Sequence, residues 1–501
     1  MEPNAGREDI SGRWGDQESA GPIGAEKRGN ACGAKEPYRL RAEARGLVSR
    51  LGKKRPVTEE ERREAAQLGW AEWRSIPPRL AELRLKLFLK AKRERGFRFY
   101  VLYDRIFRKD VLRAAWGLVR TNRGAAGVDG VTIDHIVNAE DGPEKLVDIL
   151  HEELRSKTYR PQPVRRVYIP KSDGRERPLG IPAVRDRVVQ AAALLVLEPI
   201  FEADFMDSSY GFRPRRRAHD ALQSVRQEVK AGRREVYDAD LKGYFDSIPR
   251  DKLFKALRMR VTDSSVLTLI RLWLDAPVVD ARTGGPPRRT KTGTPQGSVI
   301  SPLLGNVYLH WFDRFFHAGG GPVHWAGARL VRYADDIVVM ARYQGRHLVQ
   351  WIEETLEQRM GLTLNREKTQ VVNLKEPGAS IDFLGYTFRY DRDLQGRGHS
   401  YLNLHPSKKT LARMRRRLRE MTHSRQCFTP IPQLIKRLNQ YLRGWEGYFS
   451  YGYSRVAKRH VNRYVRERLT RHLRRRSQRP FRPPEGVSFY KHFQTLGLVY
   501  L

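Results

Sequence analysis

The stretch VRYADDIVVM, Val331 to Met340, places two adjacent carboxylates, Asp335 and Asp336, between short apolar runs. Neighbouring like charges repel each other, and each carboxylate is costly to remove from water. The apolar residues on both sides predict a strand, a tight turn and a second strand. Divalent metal ions would offset the repulsion, because Mg²⁺ prefers oxygen ligands. An Asp-rich hairpin turn without a metal explains the four residues YADD equally well.

A second acidic segment, EVYDADLKGYFDSIPR at residues 235–250, predicts another strand that ends in carboxylates. In an extended strand Asp238 and Asp240 share a face, and Asp240 lies nearer the turn. A polymerase site needs two divalent metals about 3.5–4 Å apart, and carboxylates from two separate strands can hold them. The alternative is a strand that ends in a polar loop and packs Tyr244 and Phe245 into the core.

Two glycine-containing segments predict a site for a phosphorylated, flat substrate. In KTGTPQGSVISPLLGNVYL, residues 291–309, the glycines let the main chain approach a ligand closely before a helix begins. In IPKSDGRERPLGIP, residues 169–182, Lys171 and Arg177 flank a glycine turn and suit a triphosphate. The alternative for the first segment is a plain glycine turn that leads into a buried helix. The two cations of the second segment suit an exposed β-turn equally well.

The charge of the whole chain favours a polyanionic partner. The 501 residues are enough for roughly three domains, and they carry a net charge of +38. Nucleic acid is the first candidate for such a chain. A membrane is disfavoured, because the apolar run from Val188 is interrupted by Gln190 and Glu198 and is too short to span a bilayer.

The N-terminus indicates the cellular compartment, and the cysteines exclude two kinds of structural site. The first residues contain no apolar signal segment, which favours a cytosolic protein. Cys32 and Cys427 support neither a disulfide framework nor a zinc module.

Composition divides the chain into five parts. Residues 1–56 are predicted to be disordered, 57–110 to be a helical extension, and 111–390 to alternate strands and helices around a core at 151–388. Residues 405–480 are predicted to be helical and basic, and 481–501 to form a short tail. Aromatic residues are interleaved with the cations of 405–480, which favours nucleic-acid binding over a merely solvated face.

Taken in order, these and neighbouring segments resemble the reverse transcriptases encoded by group II introns, of the bacterial type that lacks an HNH endonuclease domain. The resemblance implies an α+β right-hand polymerase fold of fingers and palm, followed by an all-helical thumb or maturase-specific (X) domain at 405–480. The segments that carry the resemblance are NRGAAGVDGVTI, YIPKSDGRERPLGIP, SYGFRPRRRAHDAL, DADLKGYFDSI, TPQGSVISPLLGNVYL, RYADDIVVMAR, LTLNREKTQVV, DFLGYTFRY and LNQYLRGWEGYFSYG.

The resemblance also assigns roles to single residues. It implies that two Mg²⁺ ions, with Mn²⁺ as a substitute, are held by Asp240, Asp335, Asp336 and the carbonyl of Leu241. It implies that Lys171 and Arg177 hold the incoming triphosphate, that Phe245 excludes a 2′-hydroxyl, and that Gln296 and Gly297 line the nucleotide and template site. The residues expected to bind RNA are Arg213, Arg215, Arg216, Arg217, Arg443 and Trp445.

The implied function is RNA-directed DNA polymerisation combined with maturase activity. The expected partners are the intron RNA, an RNA template with a DNA or RNA primer, target DNA and dNTPs, with splicing and target-primed intron mobility as the outcome. A splicing cofactor without polymerase activity and a domesticated repair or defence reverse transcriptase are the alternatives. An RNA-dependent RNA polymerase is disfavoured by Phe245.

The chain departs from the family pattern at three positions. Arg215 and Arg217 stand where Gly and Ser are frequent, and Ser298 replaces a frequent second Gly. No cysteine-paired HNH endonuclease segment follows the thumb, so we expect no cleavage of the second target strand.

Overall fold

The computed structural model describes residues 76–170, 176–290, 292–393, 399–479 and 481–501. The predicted disorder of 1–56, the first part of the predicted helical extension and the turn that carries Lys171 lie outside the described residues.

A group of helices precedes the first described strand. The helix α1 is amphipathic and packs against the later helix α6 (Val184–Glu202). Buried Arg84 of α1 donates hydrogen bonds to the carbonyl of Leu195 at 2.5 Å and to the carboxylate of Glu198 at 2.6 Å. The helices of this group are α1 (Pro78–Arg93), α2 (Tyr103–Ile106), α3 (Lys109–Thr121), α4 (Ile133–Asn138) and α5 (Gly142–Arg155).

The apolar run from Val188 forms the middle of α6, as predicted. Almost every residue of α6 is buried, because the helix is packed on several sides by α1, α3 and α5. Among the described residues, no helix has the length and apolar character that crossing a membrane would require.

The fingers carry a three-stranded sheet in the order β2–β1–β4. These strands are β1 (Val164–Pro170), β2 (Glu176–Ile181) and β4 (Val278–Asp280). The β1–β2 hairpin is antiparallel, and β4 adds to β1 in parallel. The hydroxyl of Tyr168 donates to Asp280 at 2.7 Å, which ties the hairpin to the added strand.

The palm is built on a four-stranded antiparallel sheet in the order β5–β6–β3–β7. Its strands are β3 (Glu235–Asp240), β5 (Arg329–Tyr333), β6 (Asp336–Ala341) and β7 (Gln370–Asn373). β3 is buried at three of its six positions, and β6 is buried at five of six because its apolar residues are consecutive. The helices of this region are α7 (Ala218–Lys230), α8 (Tyr244–Ser247), α9 (Arg250–Arg258), α10 (Ser264–Leu274), α11 (Ser301–His317), α12 (Pro322–Trp325) and α13 (Arg346–Glu354, continued by a π-helical turn at Thr355–Arg359).

A second three-stranded sheet leads into the thumb. It consists of β8 (Ser380–Phe383), β9 (Tyr386–Arg392) and β10 (Ser400–Pro406), and its apolar face shares a core with the palm sheet. No strand follows β10 in the described residues, as the sequence predicted.

The thumb is helical and has its own hydrophobic core. It contains α14 (Lys408–Met421), a short 3₁₀ turn (Ser424–Gln426), α15 (Ile431–Phe449) and α16 (Arg455–Arg474). The tail helix α17 (Phe489–Thr495) packs Phe493 into the same core. The α+β class with a helical C-terminal region is confirmed.

Candidate active site

The three predicted catalytic carboxylates lie at one end of the palm sheet. Asp240 ends β3 and pairs directly with Asp336, the first residue of β6. Asp335 occupies the two-residue turn between β5 and β6, beside Asp336. The two acidic segments, far apart in sequence, are therefore neighbours because β3 and β6 are hydrogen-bonded in antiparallel register.

A buried network of hydrogen bonds and one ion pair holds the turn between β5 and β6 in place. Ala334 has a φ of 57°, which is unusual for a residue with a Cβ. Buried Arg332 donates to the Ala334 carbonyl at 2.9 Å and forms a fully buried ion pair with Asp313 of α11 at 2.6 Å. The same guanidinium donates to the Asn306 side chain at 3.0 Å. Arg332 thus joins the catalytic turn to α11.

Burial and mutual repulsion disfavour the charged forms of Asp335 and Asp336. Burial, reinforced by repulsion from Asp335, Asp238 and Asp240, raises the pKa of Asp336 to about 7. Burial also raises the pKa of Asp335 above its usual range and that of Asp238 to about 6. A nearby cation would favour the charged forms, which is the electrostatic condition for a metal site.

Polar neighbours hold Asp240 in its present orientation. Its carboxylate accepts hydrogen bonds from the Asn365 amide at 2.8 Å and from the Lys368 ammonium at 3.3 Å. Within the described part of the chain, no three His, Cys, Asp or Glu side chains converge closely enough to hold a metal ion. The carboxylate oxygens nevertheless fit a hard divalent cation in their chemistry, and Lys368 supplies positive charge beside Asp240.

A cleft of about 190 Å³ opens beside the carboxylates. It brings together Asp240, Asp335 and most of the residues predicted to bind the nucleotide. Its walls include Arg177, Leu241, Phe245, Gln296, Asn365 and Lys368. Lys171 lies outside the described residues, so its predicted role stays a prediction.

Gly297 joins the fingers sheet to the loop that carries Gln296. Its φ is 107°, and a Cβ on it would lie 2.5 Å from the carbonyl oxygen of Gly180 in β2. The Gly180 amide donates to the Gln296 carbonyl at 2.6 Å. The side chain of Ser298 donates to buried Gln190 at 2.8 Å, so this departure from the family pattern adds a bond that fixes the loop.

Asn365 and Lys368 were not singled out from the sequence. They belong to LTLNREKTQVV, which contributed to the family resemblance without any assigned role. Their contacts with Asp240 span more than a hundred residues of chain, so no local spacing could reveal them. The signal in the sequence that could have pointed to these two residues was the position of their segment among the other family motifs.

Two residues predicted to bind RNA are buried, and these predictions are corrected. Arg213 is 8% exposed; its guanidinium pairs with buried Glu202 at 2.6 Å and donates to the Met206 carbonyl at 2.6 Å. Trp445 is 7% exposed and lies in the thumb core. Neither side chain can reach a nucleic acid, because both are enclosed by protein atoms.

The other predicted RNA contacts remain on the surface. Arg215, Arg217 and Arg443 are exposed, while Arg216 is partly buried and pairs with Asp207 at 2.5 Å. RNA binding by these four arginines stays a prediction.

The similarity to known proteins agrees with this geometry. The family model described as "Reverse transcriptase (RNA-dependent DNA polymerase)" matches residues 169–388. The model described as "Group II intron, maturase-specific domain" matches residues 411–483.

Individual relatives match parts of the chain. The chain is 34% identical to Protein YkfC of Escherichia coli over 352 residues, which is 63% of this chain and 90% of YkfC. It is 29% identical to the group II intron-encoded protein LtrA of Lactococcus lactis over 355 residues, which is 59% of this chain and 57% of LtrA. It is 35% identical to a 91 kDa protein in a cob intron of Schizosaccharomyces pombe over 219 residues, which is 42% of this chain and 25% of that protein. The chain therefore belongs to the family of group II intron-encoded reverse transcriptases, RNA-directed DNA polymerases that carry a maturase domain.

Proposed function

We propose that the protein copies RNA into DNA at the cleft between β3, the β5–β6 hairpin and the fingers sheet. The observation that carries this proposal is the direct pairing of Asp240 with Asp336, beside Asp335. Asp240 and Asp335 line a cleft that also contains Arg177, Phe245 and Gln296. A primer 3′-hydroxyl attacks the α-phosphate of a dNTP there, and pyrophosphate leaves.

We assign the metal-holding role to Asp240, Asp335, Asp336 and the carbonyl of Leu241. Two Mg²⁺ ions, or Mn²⁺ in their place, would supply Lewis acidity to the attacking and leaving oxygens. The mutual repulsion of these buried carboxylates supports this assignment, because a bound cation would offset it.

The remaining cleft residues bind and orient the nucleotide. Arg177 and, by family resemblance, Lys171 hold the triphosphate through charge-assisted hydrogen bonds. The ring of Phe245 occupies the space that a 2′-hydroxyl would need, which selects dNTPs. Gln296, held through its carbonyl by Gly180, faces the nucleotide and template. Catalysis comes chiefly from this positioning and from electrostatics.

The same chain acts as a maturase through its basic thumb. We propose that it binds group II intron RNA to promote splicing, and that it uses target DNA to prime reverse transcription during intron mobility. Exposed cations on α14, α15 and α16 support this role, because RNA phosphates attract them. The bacterial cytosol is the proposed location.

Primer extension on an RNA template tests the polymerase assignment. Wild type should incorporate dNTPs in Mg²⁺, whereas Asp335→Ala should lose at least about a thousandfold in rate, since electrostatic stabilisation of the transition state is removed. Asp134→Ala, which removes an exposed carboxylate on α4, is the matched control and should behave as wild type. An inactive wild type would favour the splicing-cofactor alternative, and an active Asp335→Ala would refute the assignment.

A further inference from the structure

Phe212 is an exposed aromatic residue with an uncommon backbone conformation. Its side chain is 55% exposed, and its φ is 57°. A bulky residue in this left-handed region is strained, and such strain persists only where the surroundings impose it. An exposed phenylalanine does not contribute the free energy of apolar burial that normally stabilises a fold.

Both neighbours of Phe212 are firmly anchored. Gly211 lies against the catalytic turn so closely that a Cβ on it would overlap the amide of Ala334. The carbonyl of Gly211 accepts a hydrogen bond from Asn306 at 2.8 Å. On the other side Arg213 is held by its buried ion pair with Glu202. Phe212 is therefore presented to the surface by a rigid support that also contacts the active site.

The proposed sugar gate, Phe245, is confined on several sides. Its carbonyl accepts from the amide of Thr294 at 2.7 Å, which fixes its backbone. A Cβ on Gly305 of α11 would lie 3.0 Å from the edge of its ring, so the helix blocks movement in that direction. The ring centroid of Phe212 is 6.4 Å away at an interplanar angle of 64°, an edge-to-face contact.

We propose that Phe212 is a positioning residue that keeps the Phe245 ring in place and thereby sets the discrimination between dNTPs and NTPs. The proposal rests on the gate role proposed for Phe245. Gly305, Tyr244 and Phe212 surround the ring of Phe245, and the ring centroid of Tyr244 lies 5.2 Å away. Phe212 is the one of these three neighbours that lies outside a helix, so it can be truncated without altering one. Removing it lets the Phe245 ring turn outward, which makes room for a 2′-hydroxyl.

Single-nucleotide incorporation of dATP and ATP measures this discrimination. We expect Phe212→Ala to lower the ratio of kcat/KM for dATP over ATP by about two- to tenfold, the range that loss of one aromatic pair allows. The change should come mainly from faster use of ATP. Phe212→Tyr should keep the wild-type ratio, because its ring preserves the edge-to-face contact. Phe428→Ala, which removes another exposed phenylalanine, at 80% exposure in the thumb, should leave the ratio unchanged.

Phe245→Ala separates failure of this inference from failure of the gate. If Phe245→Ala lowers the ratio and Phe212→Ala does not, the role of Phe212 is refuted while the gate stands. If Phe245→Ala also leaves the ratio unchanged, the gate assignment itself fails. An equal loss of dATP and ATP use in Phe212→Ala would indicate a merely structural role and would overturn the inference. Should Phe212→Ala not fold, Phe212→Leu keeps the bulk without the aromatic contact and must lower the ratio.

Discussion

Several arginines of this basic chain lie inside the protein rather than on a nucleic-acid surface. Arg84, Arg213, Arg260 and Arg332 are each at most 8% exposed, and each pairs with a carboxylate. A guanidinium stays charged when buried, so it needs such a partner. Position in the fold, and not residue type, decides whether an arginine here is structural.

Arg332 offers the clearest test of such a structural role for a buried arginine. Arg332→Met should lower the free energy of unfolding by about 3–5 kcal/mol, because buried Asp313 is left without its partner. It should also abolish primer extension, since the Ala334 carbonyl loses its donor. The double variant Arg332→Met with Asp313→Leu should recover much of the stability but not the activity. Urea unfolding and primer extension measure the two effects, and full activity in either variant would contradict this role.

Arg213 and Arg215 form a matched pair within one loop. Arg213→Ala should destabilise the protein by about 3–5 kcal/mol, because Glu202 would be left buried without its partner. Arg215→Ala, at an exposed position, should change stability by less than about 0.5 kcal/mol while weakening RNA binding. Thermal unfolding and filter binding with the same RNA separate the two effects. Equal destabilisation by both changes would argue against the structural role of Arg213.

Among the elements, those with a strong local pattern could be predicted from the sequence. The β5–β6 hairpin and β3 follow from short runs of apolar, largely β-branched residues that end at carboxylates. The burial of Trp445 could also have been predicted, because Leu438, Leu442 and Trp445 recur at spacings of four and three on α15. The partners of Asp240 could not, since β3 meets the segment with Asn365 and Lys368 only through tertiary packing. The edge-to-face contact of Phe212 with Phe245 is likewise invisible in the sequence.

The contact between β2 and the Gln296–Gly297 loop gives an element-level prediction. Gly297→Ala should push the loop away from Gly180, because its φ of 107° and the 2.5 Å approach leave no room for a Cβ. The KM for dNTPs should rise about tenfold or more, since Gln296 moves with the loop. Gly319→Ala, where a Cβ meets nothing within 4 Å, is the control. Steady-state primer extension measures the KM for dNTPs in both variants. An unchanged KM in Gly297→Ala would show that the position of the loop does not affect nucleotide binding.

At the scale of the whole molecule, charge governs association with RNA. The net charge of +38 predicts an affinity that falls steeply with salt, because bound counterions are released from the phosphates. Arg415→Ala combined with Arg416→Ala, two exposed positions on α14, should reduce the slope of log K against log salt by about one to two. Binding titrations with intron RNA at several salt concentrations measure the slope. A slope equal to that of wild type would exclude α14 from the RNA interface.

The strand order β5–β6–β3–β7 also has a consequence for how the chain is made. The strand that carries Asp240 occupies an interior place in the sheet, yet it leaves the ribosome before both of its neighbours, residues 336–341 and 370–373. At about 5–20 residues per second, roughly ten seconds of translation separate it from its first partner. During that interval both of its edges are unpaired, which is the condition under which nascent chains misassociate. Asp238 and Asp240 place two carboxylates on this strand, and charges within an apolar strand are a feature that discourages such pairing.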